Sequence, residues 1–358
     1  MSIPSFNLGN LQLKLPIIQG GMGIGVSLSK LASAVANEGG IGVLSAAQIG
    51  YREKDFKTDN NGANLRALIS EIKETRRLSP TGVIGVNFLA STRNYAEMVK
   101  AAVNEKIDVI ISGAGIPKNL PELVEGSETK IAPIVSSRKA AVTILKLWKR
   151  KYDRLADMII VEGPDAGGHL GFKKSDLLEG NIPPFKDIVK EIVEGVKEFE
   201  EKYNQKIPVI AAGGIFSGKD IREFLDLGAT GVQMATRFVA TDECDAHENF
   251  KQAYVDCGKD DIEIIDSPVG LPGRALNNKF VERLKAKSLE IKSCYRCLRG
   301  CDPKTAPFCI TEALVKSVTG DVENGLVFVG SNGYRLKEIK PIKEVFKDII
   351  REYEESAK

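Results

Sequence analysis

Eight short apolar runs, each closing on a cluster of Gly, Ser or Asn, recur along the first 240 or so residues of this 358-residue chain. They begin near Pro16 (PIIQGG), Ile41 (IGVLSA), Val83 (VIGVNF), Asp108 (DVIISGAG), Ile131 (IAPIVSS), Asp157 (DMIIVEG), Ile207 (IPVIAAGG) and Gly231 (GVQMATRF). Five of the seven intervals are 23 to 26 residues long, which is room for one strand, one turn and one helix. Segments of helical period fill them, among them LSKLASAVANEG, NLRALISEIKETRRL, RKAAVTILKLWKRKYD and FKDIVKEIVEGVKEFEEKY. Strands buried on both faces look uniformly apolar, as these do. The even eightfold rhythm predicts an α/β fold, the (β/α)8 or TIM barrel; an open doubly wound sheet rarely repeats so regularly. The barrel should occupy residues 1–241. Beyond it the rhythm breaks into HENFKQAYVD, the strand-like IEIID, a loop SPVGLPGRALNNKF and a cysteine cluster, so residues 242–338 read as a cap bordering the barrel mouth. The amphipathic PIKEVFKDIIREYEE within 339–358 reads as a helix packing on the barrel.

Composition narrows the function classes. Hydrophobic residues at 43%, charged residues at 27% and a formal charge of +2 are ordinary for a soluble globular protein and suggest neither a nucleic-acid nor a membrane partner. No apolar run approaches the 18 or so residues of a spanning helix, and the N-terminus lacks a secretory pattern. A cytoplasmic protein acting on a small molecule is expected, with a homodimer among the assemblies open to it.

In such barrels the active site forms where the strands end. Those positions hold Gln19-Gly20-Gly21-Met22-Gly23, Ser45, Asn87, Ser112-Gly113, Ser136, Glu162 through His169, Gly213-Gly214 and Gln233 through Thr236. A rim of glycine and amide side chains leaves space for a large flat ligand; a metal hydrolase would need several His and carboxylates there. AAGGIFSG and QMATRF on the last two strands put loose backbone N–H groups where barrels commonly hold a phosphate. A planar, phosphate-bearing cofactor points to FMN, because no Lys stands at any strand end to serve pyridoxal phosphate. The chain has two histidines. His169 lies in GPDAGGHLGF, where Gly167, Gly168 and Gly171 let the backbone hug a ligand, and an imidazole there can exchange a proton or hold an anion. His247, in the polar TDECDAHEN, reads as a solvated residue at a helix start.

QGGMG, GVNF, EGPDAGGHLGF, PVIAAGGI and GVQMATRF, in this order and spacing, resemble the nitronate monooxygenase (2-nitropropane dioxygenase) family of FMN-dependent barrels. That family also includes flavin-dependent enoyl-acyl-carrier-protein reductases and NADH:quinone reductases. The resemblance runs from Pro16 to about Thr241 and extends through PVGLPGRALNNKF. It implies flavin contacts at Gly20, Gly21, Met22, Asn87, Glu162, Gly167, Gly168, Gly213, Gly214, Gln233, Met234, Ala235 and Thr236, and a catalytic role for His169. Two positions depart from the nitronate monooxygenase pattern: Glu162 stands where many members have Gln, and Ala235 where they have Gly. Glu162 makes the segment similar to the enoyl reductase branch. The leading expectation is oxidation of an alkyl nitronate with O2, His169 positioning the nitronate or taking the proton beside a nitro group. The alternative is NAD(P)H-dependent reduction of an enoyl thioester or a quinone. A third reading, a non-catalytic barrel binding a phosphate ligand, leaves the glycine-framed His169 without a purpose.

Cys294, Cys297, Cys301 and Cys309 fall within 16 residues. A CxxC followed closely by two more cysteines can ligate zinc or an iron–sulfur cluster, although the spacing matches neither a paired zinc knuckle nor a ferredoxin run. Reduced thiols in a loop are the other reading, and the metal is left open.

Overall fold

The computed structural model describes residues 2–287 and 289–356, so the outermost ends of the first and last expected segments, Met1 and residues 357–358, lie outside it. Eight strands form the barrel: β1 (Ile17–Gln19), β2 (Ile41–Ser45), β3 (Val83–Leu89), β4 (Val109–Gly113), β5 (Lys130–Val135), β6 (Ile159–Glu162), β7 (Val209–Ala212) and β8 (Gly231–Met234). Each pairs in parallel with its neighbours in sequence, and β8 closes on β1 through Val232 opposite Ile17 and Met234 opposite Gln19.

Alternation along each strand explains the uniformly apolar runs. Met158 and Ile160 point into the barrel with Ile18, Val43, Ile111 and Ile210, whereas Ile159, Val161, Val209 and Ala211 face the surrounding helices. Both sets are buried, so no polar face exists to give the strands a period-2 pattern. A short hairpin, Phe6–Leu8 with Leu11–Leu13, stops the amino-terminal end by adding Phe6, Leu8 and Leu13 to the inner cluster. At β2 the helix Ser29–Asn37 comes so close that a Cβ on Gly42 would sit 1.7 Å from the Ala32 carbonyl oxygen, so only glycine fits there.

The helical layer is less regular than the rhythm suggests. Full helices follow β1, β2, β3, β5, β6 and β7 at Ser29–Asn37, Asn60–Leu78, Tyr95–Asn104, Arg138–Tyr152, Phe185–Tyr203 and Gly218–Asp226. After β4 and β8 there are only single turns, Leu120–Leu123 and Thr236–Val239. The carboxyl-terminal helix Ile342–Glu355 packs at the thin place after β8: Phe346 stacks on Phe238 at 5.7 Å between ring centroids. Glu352 receives both Arg237 Nη atoms at 2.8 Å and caps the Gly218 N–H at 2.9 Å.

SPVGLPGRALNNKF, expected to be a loop, is a strand in its centre. Two antiparallel strands, β9 (Ile262–Asp266) and β10 (Pro272–Leu276), form a small sheet whose third member is the pair Gly168–His169. Proline at the first residue of β10 costs no ladder donor, which is why a sequence beginning PG can still be a strand. The sheet rests on a satellite core that includes Phe280, Leu298, Phe308 and Leu326. His247 is exposed and caps the helix Glu248–Val255, its Nδ1 accepting from the Asn249 N–H at 3.1 Å. Among the described residues no helix is long and apolar enough to cross a membrane.

Candidate active site

A cavity of about 830 Å³ opens at the carboxyl end of the barrel strands. Every residue that the resemblance marks as a flavin contact or as catalytic lines it, although Gln19 and Ser112 among the strand ends do not: Gly20, Gly21 and Met22 after β1, Asn87 in β3, Glu162 at the end of β6, and Gly167, Gly168 and His169 in the loop beyond. Gly213 and Gly214 after β7 and Gln233, Met234, Ala235 and Thr236 from β8 complete the wall. Ser45, Ser136 and apolar side chains such as Ile134, Val135 and Ile188 stand between them.

Glycine is required at several of these positions. A Cβ on Gly21 would meet the Asn87 Cβ at 2.3 Å. Gly213 and Gly214 have φ of +102° and +77°, a region that side chains disfavour, and the loop after β6 crosses directly over them. Their Cβ atoms would lie 3.0 Å from the Ala166 nitrogen and 2.9 Å from the Asp165 Cβ. Gln233 lines the cavity, and its buried Oε1 has no hydrogen-bond partner among the described residues.

His169 is held from outside the barrel. Its Nε2 lies 2.7 Å from the Ser267 hydroxyl, at the turn between β9 and β10, and its ring meets Phe328 edge-on at 4.9 Å between centroids. The main chain beside it is pinned by β10: Gly168 pairs with Arg274, His169 with Gly273, and the Leu170 N–H donates to the Pro272 carbonyl at 2.9 Å. Arg274 Nη1 donates to the carbonyls of Pro164 and Ala166 at 2.6 and 2.7 Å, so one guanidinium fixes the loop ahead of the histidine. Further along, the Ser331 N–H donates to the Asp165 carbonyl at 3.1 Å and Asn332 Nδ2 to the Gly214 carbonyl at 2.6 Å.

Burial sets the charge states. It pushes the His169 imidazolium down to about 4, so the ring is neutral near pH 7. Burial also pushes the Glu162 carboxyl up to about 7, opposed by the Gly171 N–H that donates to it at 3.1 Å. Burial disfavours the charged form of both groups: the base stays neutral, and the acid keeps its proton to nearly neutral pH.

Ser267, Arg274, Phe328, Gly330 and Asn332 were not among the residues marked in the sequence. They come from the cap, 100 or more residues after His169 for all but Ser267, which is 98 away. The only local signal was the conspicuous PVGLPGRALNNKF, which carries no sign of which barrel loop it pairs with. Among the described residues no group of three or more His, Cys, Asp or Glu is disposed around a single metal position.

Comparison with known proteins places this geometry. A solved structure described as FabK from Thermotoga maritima superposes with a TM-score of 0.75 at 28% identity, covering 96% of this chain and 94% of that one. A Staphylococcus aureus protein described as a probable nitronate monooxygenase is 29% identical over 314 residues, 76% of this chain and 78% of the relative. A (3aS,4S,5R,7aS)-5-hydroxy-7a-methyl-1-oxo-octahydro-1H-indene-4-carboxyl-CoA dehydrogenase of Mycobacterium tuberculosis is 29% identical over 273 residues, 76% of this chain. The match spans 66% of that relative, slightly under two thirds of its length. The family model described as nitronate monooxygenase matches residues 5–352, which takes in the barrel, the His169 loop and the cap that pins it. The chain therefore belongs to the nitronate monooxygenase family of oxidoreductases.

Proposed function

We propose that this protein is an FMN-dependent oxidoreductase of the nitronate monooxygenase type, oxidising alkyl nitronates with O2. The observation that carries the reading is a glycine-walled cavity at the strand ends with a neutral, clamped imidazole on its rim. The residues fit a flavin: glycines where a Cβ would collide, the orphaned acceptor of Gln233, and loose main chain at Gly213 and Gly214 for a phosphate. Bound there, FMN would supply the electron-transfer chemistry that side chains lack. Gly20 to Met22 and Asn87 would hold the ring, and Ala235 and Thr236 would share the phosphate with the two glycines. His169 would orient the substrate: with Nε2 engaged by Ser267, Nδ1 is the nitrogen left to accept a proton from a nitroalkane or to hold the nitronate. The Phe328 ring packs edge-on against that imidazole from the cap.

One observation favours a second reading, reduction of an enoyl thioester or quinone with NAD(P)H as electron donor. Glu162 places a carboxyl where many nitronate monooxygenases have an amide, a pattern similar to the enoyl reductase branch. Anaerobic mixing separates the two. The purified protein is expected to be yellow, to release FMN on denaturation, and to bleach with an alkyl nitronate but not with NADH. Rapid bleaching by NADH alone would transfer the assignment to the second reading; a colourless protein that binds no FMN would remove both.

Glu162 also predicts a pH dependence. Below its folded value of about 7 the carboxyl is neutral, and above it a negative charge stands beside the cavity. Loading electrons into the site becomes less favourable as that charge appears. kcat/KM is therefore expected to fall as pH rises through about 7, and Glu162→Gln to lack that alkaline limb. A pH–rate profile of both proteins checks this; an unchanged limb in the variant would assign it to another group.

A further inference from the structure

The cavity reaches beyond the strand ends that carry the glycines. Toward β4 and β5 its wall passes to Ile134 and Val135 of β5, to Ala140 and Ile144 of the helix Arg138–Tyr152, and to Ile188 of the helix Phe185–Tyr203. In the closed barrel β4 stands opposite β8, four strands away in either direction. A cofactor with its phosphate beside β7 and β8 therefore leaves this end of the cavity to the substrate.

The inner wall of the arm is apolar. Val135, Ile144 and Ile188 are buried members of the main core. Ser137 also lines the arm, but its hydroxyl accepts from the Ala140 N–H at 3.2 Å and caps the helix. The charged residues that reach this end, Lys173, Asp176 and Glu191, are exposed or half-exposed and form a rim toward solvent. The outer wall comes from residues 171–187, none of which is buried, with Phe172 and Ile182 lining the cavity. A wall with so few buried contacts can shift to admit a ligand without opening the core. At the mouth, Ile116 lines the cavity and is 55% exposed. Isolated exposed hydrophobics are ordinary; one that continues an apolar arm out to solvent lengthens the surface that a hydrocarbon can cover.

We propose that this arm, between the helices Arg138–Tyr152 and Phe185–Tyr203, receives an aliphatic tail of the substrate, and that Ala140, the small residue of its helical wall, limits how long a tail it accepts. The identity of the reacting end rests on the function proposed above, whereas the arm can be tested without it. Trp148 is the single tryptophan of the chain, buried one turn beyond Ile144, and its Nε1 donates to the carbonyl of the cavity-lining Pro117 at 3.1 Å. Titrating the holoprotein with primary alkanols from butanol to decanol is expected to change Trp148 emission saturably, with affinity rising about fourfold per methylene until the arm is full. Ala140→Phe should weaken octanol binding by about tenfold and flatten the dependence on length. Ile116→Ser, at a half-open position, should weaken it severalfold and keeps the test informative if the bulkier variant fails to fold. In turnover, kcat/KM for primary nitronates should climb from nitroethane to nitrooctane in the parent and level off early in Ala140→Phe. Length-dependent alkanol binding that the variants weaken, without turnover of any nitronate, would support the arm while removing the proposed reaction. The arm itself would be overturned if chain length affected neither Trp148 emission nor kcat/KM, or if the folded variants bound octanol like the parent.

Discussion

Replacing His169 with alanine is expected to lower turnover by about 10²- to 10⁴-fold, the usual contribution of a positioned acid or base, while bound cofactor stays in place. The separation of the two effects follows from how the residue is held. Its side chain reaches Ser267 and Phe328, both outside the barrel, so removing it deletes the polar group at the rim. Its main chain is fixed independently by pairing with Gly273, by the Leu170 to Pro272 hydrogen bond and by Arg274 on the carbonyls of Pro164 and Ala166. The loop should therefore keep its path over Gly213 and Gly214. Steady-state rates with an alkyl nitronate, together with flavin content by absorbance, check the expectation. Undiminished turnover in the alanine variant would remove His169 from the chemistry. Joint loss of flavin and turnover would make the ring a structural support.

The barrel was legible because its signal is repeated. Eight apolar runs, most of them spaced by one strand–helix unit, constrain one another, and strands buried on both faces leave little ambiguity about their direction or period. VIGVNF and FKDIVKEIVEGVKEFEEKY, for example, coincide with the observed strand Val83–Leu89 and helix Phe185–Tyr203. The cavity residues were legible for a related reason. Each strand end faces the same mouth, so a list of strand ends is already a list of neighbours. The cap offers no such rule. PGRAL forms a strand only because it finds Ile262–Asp266 on one side and two residues of a barrel loop on the other, contacts that local propensity does not encode. Ser267 illustrates the cost: one serine among many in the sequence, it becomes the partner of the only histidine in the cavity through a turn between two short strands. The helices Lys279–Ala286 and Ile310–Val318 were missed for the same reason, being brief and set in irregular chain. Single turns after β4 and β8 show the converse, a regular rhythm overstating the helical layer; after β8 the carboxyl-terminal helix takes over the packing.

Gly167→Ala should be among the most damaging single-methyl changes in the site. A Cβ there would stand 2.6 Å from the Gly330 nitrogen, 2.7 Å from the Val329 carbonyl carbon and 3.0 Å from its oxygen. All three are backbone atoms, so no side chain can rotate out of the way. Neither main chain is free to retreat. Val329 donates its N–H to the Arg274 carbonyl at 3.1 Å, while Arg274 itself grips the Ala166 carbonyl next to Gly167. Behind Gly330, the Thr236 hydroxyl already occupies the space, 2.7 Å from where a Cβ would be. The added methyl must therefore push the β6 loop and the cap apart, at about 1–3 kcal/mol for overpacking. His169 moves with the loop, and displacement of a positioning group by about 1 Å can cost on the order of 10²-fold in rate. Thermal melting and turnover of the variant are both expected to fall, with flavin retention weakened because Gly213 and Gly214 lie under the same loop. A variant that melts and turns over like the parent would mean that the cap does not press on the His169 loop, and the positioning role given to Ser267 and Arg274 would fail with it.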